Sequence, residues 1–348
     1  MESGPDLNYT PTSDGVTIAY QVLGAGPTLV WLPSLGNIAA QWRVPQLRAA
    51  YEYLAGSVRL ILYDGRGMGS SDRRIDPLDL GIDAHVRDLD AVLTATGSEP
   101  AALLGYYHAT ATAIAFAADH PRRVSRLVLF GGAARMREAM SPAQTQALLS
   151  LVDQDWDLFA DTAAHTWLGW SAGESGRLIG ESFRTAATPA VATAWFEAAA
   201  RIDVSAQVAG VLAPTLVLHR QSERQIPVEV SRRLAAALPR GRLVELPGSS
   251  PTLFMDAGRA DLDLVTRFVT TGEVHEPEPT APPRPDGVTT RELDVLRLLA
   301  AGDSNAEIAG RLGIAVHTVE RHTANLYRKI GARGRADATA YALRRGIA

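Results

Sequence analysis

The sequence predicts an α/β chain in two parts: a mostly parallel sheet covered by helices, followed by a small all-α module. Three observations carry this. Six short, apolar, largely β-branched or leucine-rich runs alternate with helical patterns; the segment 271–287 holds five prolines and almost nothing to bury; and from Val288 onward the apolar spacing is helical throughout. Continuous apolar runs between amphipathic helices mean strands buried on both faces, which is the signature of a parallel sheet with helices on each side.

The elements follow in order. An antiparallel hairpin is expected around Ser13 to Gly15, and strands at TLVWLPS (28–34), VRLILYD (58–64), AALLGY (101–106), RLVLFGG (126–132), TLVLHR (215–220) and RLVELP (242–247). Between the fourth and fifth of these runs, about 134–208, lies a helical insertion with four of the six tryptophans. At the carboxyl ends of parallel strands it would roof the crevice where such sheets bind ligands, so it is expected to be a lid. The expected division is therefore 1–270, a semi-rigid Pro-rich linker 271–287, and 288–348.

Composition narrows the function. Cysteine is absent, which excludes disulfides, thiolate catalysis and cysteine-based zinc sites. Neither an apolar run long enough to span a bilayer nor a secretory leader is present, so no membrane partner and a cytoplasmic location are expected. The net charge of -4 conceals an asymmetry: from Gly287 on, ten basic residues face six acidic ones, +4, leaving -8 upstream. A basic end on an acidic body suits an approach to nucleic acid. Nothing suggests a metal or another cofactor; GRGMGSS lacks the lysine of a phosphate loop.

Two motifs give the first part its identity. YDGRGMGSSD (63–72) reads as a loop after a strand, and GYYHA (105–109) occurs where a strand would run through a tight turn into a helix. With the strand order above, residues 17–270 resemble the α/β-hydrolase fold, in which the second motif reads G-x-S-x-G and the serine is the nucleophile. The resemblance implies a nucleophile at Tyr107, an acid at Glu223 in HRQSERQIP, and a base at Pro251 in LPGSSPTLF. Proline cannot accept a proton, and a phenol that titrates near pH 10 is a poor nucleophile without a base. The loop after the first parallel strand departs as well, with Pro33 and Ser34 where many relatives carry His-Gly. The expectation is a degenerate triad and no catalysis.

Several candidates keep two readings. His108 could serve as a base or hydrogen-bond a ligand, or it could cap or pack at the start of its helix. Glu223 could be a remnant ion-pair partner or a ligand contact. The lid aromatics Trp156, Trp167, Trp170, Trp195, Phe159, Phe183 and Phe196 could line an apolar pocket or build a core for the lid. Ser34, Leu35, Tyr107, His108, Trp167, Trp170 and Trp195 are the ligand-binding candidates.

The last part carries two capping boxes, Thr289 with Glu292 and Ser304 with Glu307. Leu293, Leu296, Leu299, Ile308 and Leu312 supply a core, and on the helix that follows Val319, Leu326 and Ile330 share one face. Thr318, Arg321, His322, Asn325 and Lys329 share the other, a set of donors and acceptors suited to base edges and phosphates. The run TTRELDVLRLLAAGDSNAEIAGRLGIAVHTVERHTANLYRKIGARGRADATAYALRRG is similar to the LuxR-type (NarL/FixJ-like) helix-turn-helix domain. The resemblance implies a supporting helix at 305–313, a recognition helix at 316–330 and a pairing helix at 335–346. With Asn305, His317 and Arg328 added, the DNA-binding candidates number eight. Ala315 replaces the usual capping serine, and Val316 and Glu320 replace residues that are often proline and lysine.

These readings combine into a transcription regulator that binds double-stranded DNA as a homodimer and senses a small hydrophobic molecule. The alternatives are an active hydrolase with unusual residues tethered to a DNA-binding tail, and a constitutive regulator that uses the first domain only to dimerise.

Overall fold

The computed structural model describes residues 4–76, 78–139, 150–152, 154–168, 173–223, 226–254, 259–274, 288–344 and 347. The chain divides into two compact units, Met1–Pro277 and Glu278–Ala348. Most of the expected linker, from residue 275 on, lies outside the described residues, as do 140–149 and 169–172 of the expected lid, including Trp170.

The first unit is built on one eight-stranded sheet in the order β1-β2-β4-β3-β5-β6-β7-β8. The strands are β1 (Asn8–Pro11), β2 (Thr17–Leu23), β3 (Thr28–Trp31), β4 (Arg59–Tyr63), β5 (Ala101–Tyr106), β6 (Val124–Phe130), β7 (Thr215–Arg220) and β8 (Gly241–Leu246). β1 and β2 form the antiparallel hairpin, which turns at Gly15 with φ +86°; β2 pairs antiparallel with β4, and every later pairing is parallel. β5 and β7 are buried at all six positions, β7 with His219 and Arg220 at its end, as strands covered on both faces require.

Alternate residues of β5 enter different cores. Ala102, Leu104 and Tyr106 join α2 (Pro45–Ala55), the lid helices and α10 (Arg259–Thr271), whereas Ala101 and Leu103 join α3 (Ile82–Thr96), α4 (Ala109–Asp119) and α9 (Val228–Ala237). α4 reads ATATAIAFAAD, and its small side chains let it press on the sheet. Gly105 permits that approach, since a Cβ there would stand 2.9 Å from the Ala109 carbonyl oxygen.

Besides α1 (Ile38–Gln41), the first unit has α5 (Met136–Ala139), α6 (Trp156–Leu168), α7 (Gly173–Ala186) and α8 (Pro189–Arg201), these four within the expected lid. The second unit contains α11 (Thr290–Ala300), α12 (Asn305–Leu312), α13 (Val316–Ile330) and α14 (Arg335–Arg344) around Leu293, Leu296, Leu299, Ile308, Val319 and Leu326. Among the described residues no helix is long and apolar enough to cross a membrane, and no cluster of His, Asp and Glu could hold a metal.

Candidate functional site

The turn between β5 and α4 has the geometry of a nucleophile elbow. Tyr107 at its apex has φ +44°, the only positive φ at a non-glycine position among the described residues. Its N–H donates to the Phe130 carbonyl at 2.9 Å, and Thr110 Oγ1 donates to the Tyr107 carbonyl at 2.5 Å. The phenol donates to Glu223 Oε2 at 3.2 Å. Burial and the neighbouring Glu223 carboxylate push the phenol well above its ordinary value, so it stays protonated at neutral pH.

Pro251 lies on the loop after β8, and that loop is fixed by a fully buried arginine. Arg220 Nε donates to the Ser250 carbonyl at 2.9 Å, Nη1 to Pro247 at 2.9 Å and Nη2 to Thr252 at 2.5 Å, while Nη2 also pairs with the buried Asp261 at 2.5 Å. Nothing in the sequence marked Arg220, although it sets the wall on which Pro251 stands.

Beside Tyr107 and Pro251 is a cavity of about 110 Å³. Ser34, Leu35, Tyr107 and His108 line it, as expected. Its principal wall comes from residues that the sequence did not single out: Trp31 and Tyr106 stack at 5.2 Å and 4°, and Tyr51 meets Trp31 edge-on at 5.3 Å. Gln41, whose amide oxygen accepts from the Tyr51 hydroxyl at 2.9 Å, supplies a polar group at the wall. The lining contains no lysine or arginine and one carboxyl, Asp64, among the described residues. Burial pushes Asp64 up to about 7 even though it accepts from the Ile38 and Ser70 N–H groups, each at 2.8 Å.

The lid aromatics divide between the two roles. Phe183 and Ile179 of α7 reach the cavity. Phe159, Trp195 and Phe196 instead pack on one another, with Phe159–Phe196 at 5.8 Å and Trp195–Phe196 at 5.1 Å. Trp195 covers His108 at 4.6 Å and lines a second cavity of about 30 Å³ with His85 and Asp88, which shares Ser34 and His108 with the larger one. Trp167 lies on α6, but its side chain is outside the described residues. His108 makes no side-chain cap for α4; it packs, and burial together with the charge of His85 holds it down to about 4, so it is neutral at physiological pH.

In the second unit both capping boxes are present, Thr289 with Glu292 and Ser304 with Glu307. α12 ends at Gly313, φ +62°, and α13 begins at Ala315 with no side-chain cap. At ~1.5 Å per residue α13 is about 22 Å long. Val319 and Leu326 face the core; His317, Arg321 and Arg328 are exposed, and Asn305, Thr318, His322 and Asn325 are half-buried. Asn325 Oδ1 accepts from Arg328 at 2.7 Å. Lys329 has a structural partner, for its ammonium donates to Glu292 Oε2 at 2.8 Å on a carboxylate only 3% exposed. The most exposed stripe of α13 is accordingly rotated from the expected one and includes Glu320, which the sequence reading left out of the DNA-binding set.

Comparison with known proteins agrees with both halves. The family model described as alpha/beta hydrolase fold matches residues 27–258, and that for bacterial regulatory proteins of the luxR family matches 286–342. The chain is 29% identical over 247 residues to a putative carbamate hydrolase, RutD, of Caulobacter segnis, covering 66% of this chain and 87% of that protein. It is 48% identical over 62 residues to the transcriptional regulatory protein MctR of Rhizobium johnstonii, 18% of this chain and 29% of that one. Among solved structures, a hydrolase from Pseudomonas aeruginosa superposes with a TM-score of 0.64 at 25% identity, over 77% of this chain and 99% of that one.

Proposed function

The chain belongs to the α/β-hydrolase-fold family and ends in a luxR-type DNA-binding domain, and from that premise we propose a transcription regulator whose hydrolase-fold domain binds a small molecule without cleaving it. One observation carries the reading. A tyrosine occupies the elbow with its phenol bonded to Glu223, a proline stands where a base is needed, and both border a preformed aromatic cavity. Acyl transfer requires a group that takes a proton from the nucleophile and returns it to the leaving group, and Pro251 has none to offer.

The cavity also constrains its ligand. At about 110 Å³ it is of the same order as the roughly 150 Å³ engineered cavity that binds benzene, so it has room for about one ring and little more. Apolar walls, no cation and one poorly ionised carboxyl favour a neutral, ring-sized molecule with one polar group near Gln41. Binding acts on DNA by favouring one arrangement of a homodimer, and a useful switch needs a few kcal/mol of preference between arrangements. A cavity beside Tyr107 speaks against a purely constitutive platform.

An active hydrolase is the second reading. It is favoured by the retained elbow conformation at Tyr107 and by the hydrolase names of the relatives. Purified full-length protein assayed with p-nitrophenyl acetate separates the two. No turnover above buffer is expected, together with a melting temperature raised by small neutral aromatics and a gel-shift altered by the same compounds. Saturable turnover that is lost in Tyr107→Phe would overturn the proposal.

A further inference from the structure

The two unusual residues at the start of α13, Val316 and Glu320, have no role in the interface described above. They are one helical turn apart and share a ridge. Val316 is 43% exposed, among the few large hydrophobic side chains left in solvent. Glu320 is exposed, and among the described residues it makes no hydrogen bond or ion pair. No lysine or arginine stands three or four residues from it on either side. The exposed face of α13 therefore has two ridges of different chemistry: His317, Arg321 and Arg328 on one, and Val316, Glu320 and Ala324 on the other.

A carboxylate directed at phosphates is repelled. Its favourable place in a DNA groove is opposite an amino group, and cytosine N4 is the base-edge donor that a glutamate accepts from in the major groove. An isopropyl group one turn away matches the methyl of thymine, the one apolar group on a major-groove edge. Four helical residues advance about 6 Å, against about 3.4 Å per base step, so two bases met by this ridge lie within about two steps of each other.

We infer that the Val316–Glu320 ridge reads pyrimidines: Glu320 accepts a hydrogen bond from cytosine N4, and Val316 packs on a nearby thymine methyl in the same half-site. The basic ridge is left to phosphates and guanine. This inference rests on α13 being the groove helix.

Selection of bound duplexes from a randomised pool by the full-length protein, followed by affinity measurement at fixed salt, tests it. The wild type should enrich a cytosine and a thymine within two steps. Glu320→Ala should lose tenfold or more of its discrimination at the cytosine while keeping the other positions. Replacing that thymine by deoxyuridine, which removes only the methyl, should weaken the wild type about fourfold and leave Val316→Ser unaffected. The inference is overturned if Glu320→Ala tightens binding to all sequences alike with the motif unchanged, if the Glu320-dependent base is adenine, or if deoxyuridine costs Val316→Ser as much as the wild type. A pool with no enriched motif, coupled with Arg321→Ala binding as the wild type does, would instead remove α13 from the groove and this ridge with it.

Discussion

Replacing His108 by glutamine should remove a defined part of the protein's acid sensitivity. His108 follows the elbow apex and lies under Trp195 at 4.6 Å and Phe196 at 6.4 Å. Burial and the charge of His85 hold its pKa at about 4 against the ordinary 6.5. An unfolded chain takes up this proton near 6.5 and the folded one only near 4. Between those values the unfolded state binds more protons, and stability falls as the pH falls. Integrated from pH 8 to pH 5, one such histidine costs ~2 kcal/mol, approaching ~3 kcal/mol below pH 4. His85, held at about 4 by burial and by Arg66, adds a comparable loss. The wild type should therefore lose about 2 kcal/mol more than the variant between pH 8 and pH 5, whatever the other titrating groups, the raised Asp64 and Asp88 among them, contribute to both. Urea unfolding followed by tryptophan fluorescence isolates the first domain, because all six tryptophans precede residue 271. Equal losses in both proteins, or a His108 ring proton that titrates near 6.5 by NMR, would refute the reasoning.

Three further outcomes follow from the same geometry. Tyr107→Ser alone should stay inactive on p-nitrophenyl acetate, whereas Tyr107→Ser with Pro251→His supplies a hydroxyl and a base and should gain ~10²-fold or more; a double variant as inactive as the single one would refute this, and a single variant as active as the double would mean that another base serves. Lys329→Ala should cost the second unit about 1 kcal/mol, since Glu292 keeps its Thr289 partners but loses an ammonium at 2.8 Å, whereas Arg321→Ala should weaken DNA binding with no such cost. Hydrogen exchange of the α11 amides reads the difference, and equal protection in the two variants would contradict it. Ala315→Ser should cap α13 and stabilise its first turn by about 1 kcal/mol, seen as slower exchange of those amides; unchanged exchange would show that the cap does not form.

The fold was legible because its signals are local. Six apolar runs became β3 to β8, and both capping boxes formed as written. The elbow was legible because a small residue on each side of an apex is a pattern in five consecutive letters. The cavity wall was not: Trp31, Tyr51 and Tyr106 come from β3, α2 and β5, and only the sheet order brings them together. The partners of Trp195 and Lys329 were illegible for a related reason. A helical pattern gives the face of a side chain but not its partner across the fold, and here His108 and Glu292 decide where those side chains go.

At the elbow, geometry and chemistry have separate physical origins. A non-glycine residue with φ +44° costs about 1–2 kcal/mol, so something beyond its own side chain must hold it there. The surroundings supply that constraint: a Cβ on Gly105 would stand 2.9 Å from the Ala109 carbonyl oxygen, and one on Gly132 would overlap Thr110 at 2.1 Å. Close packing of α4 on β5 and β6 thus dictates the backbone whatever residue occupies the apex. The tyrosine at the apex gains a ring contact with Phe130 at 6.0 Å and a hydrogen bond to Glu223. On the proposed reading, a regulator gains from this turn a rigid floor for its ligand, since the constraint that once could aim a nucleophile now fixes the tyrosine beside the cavity. Gly131→Ala tests the point. Its Cβ would meet the Tyr107 ring at 2.9 Å at a residue with φ +61°, so the ring must move and ligand binding should weaken; binding that survives unchanged would mean the tyrosine does not shape the site.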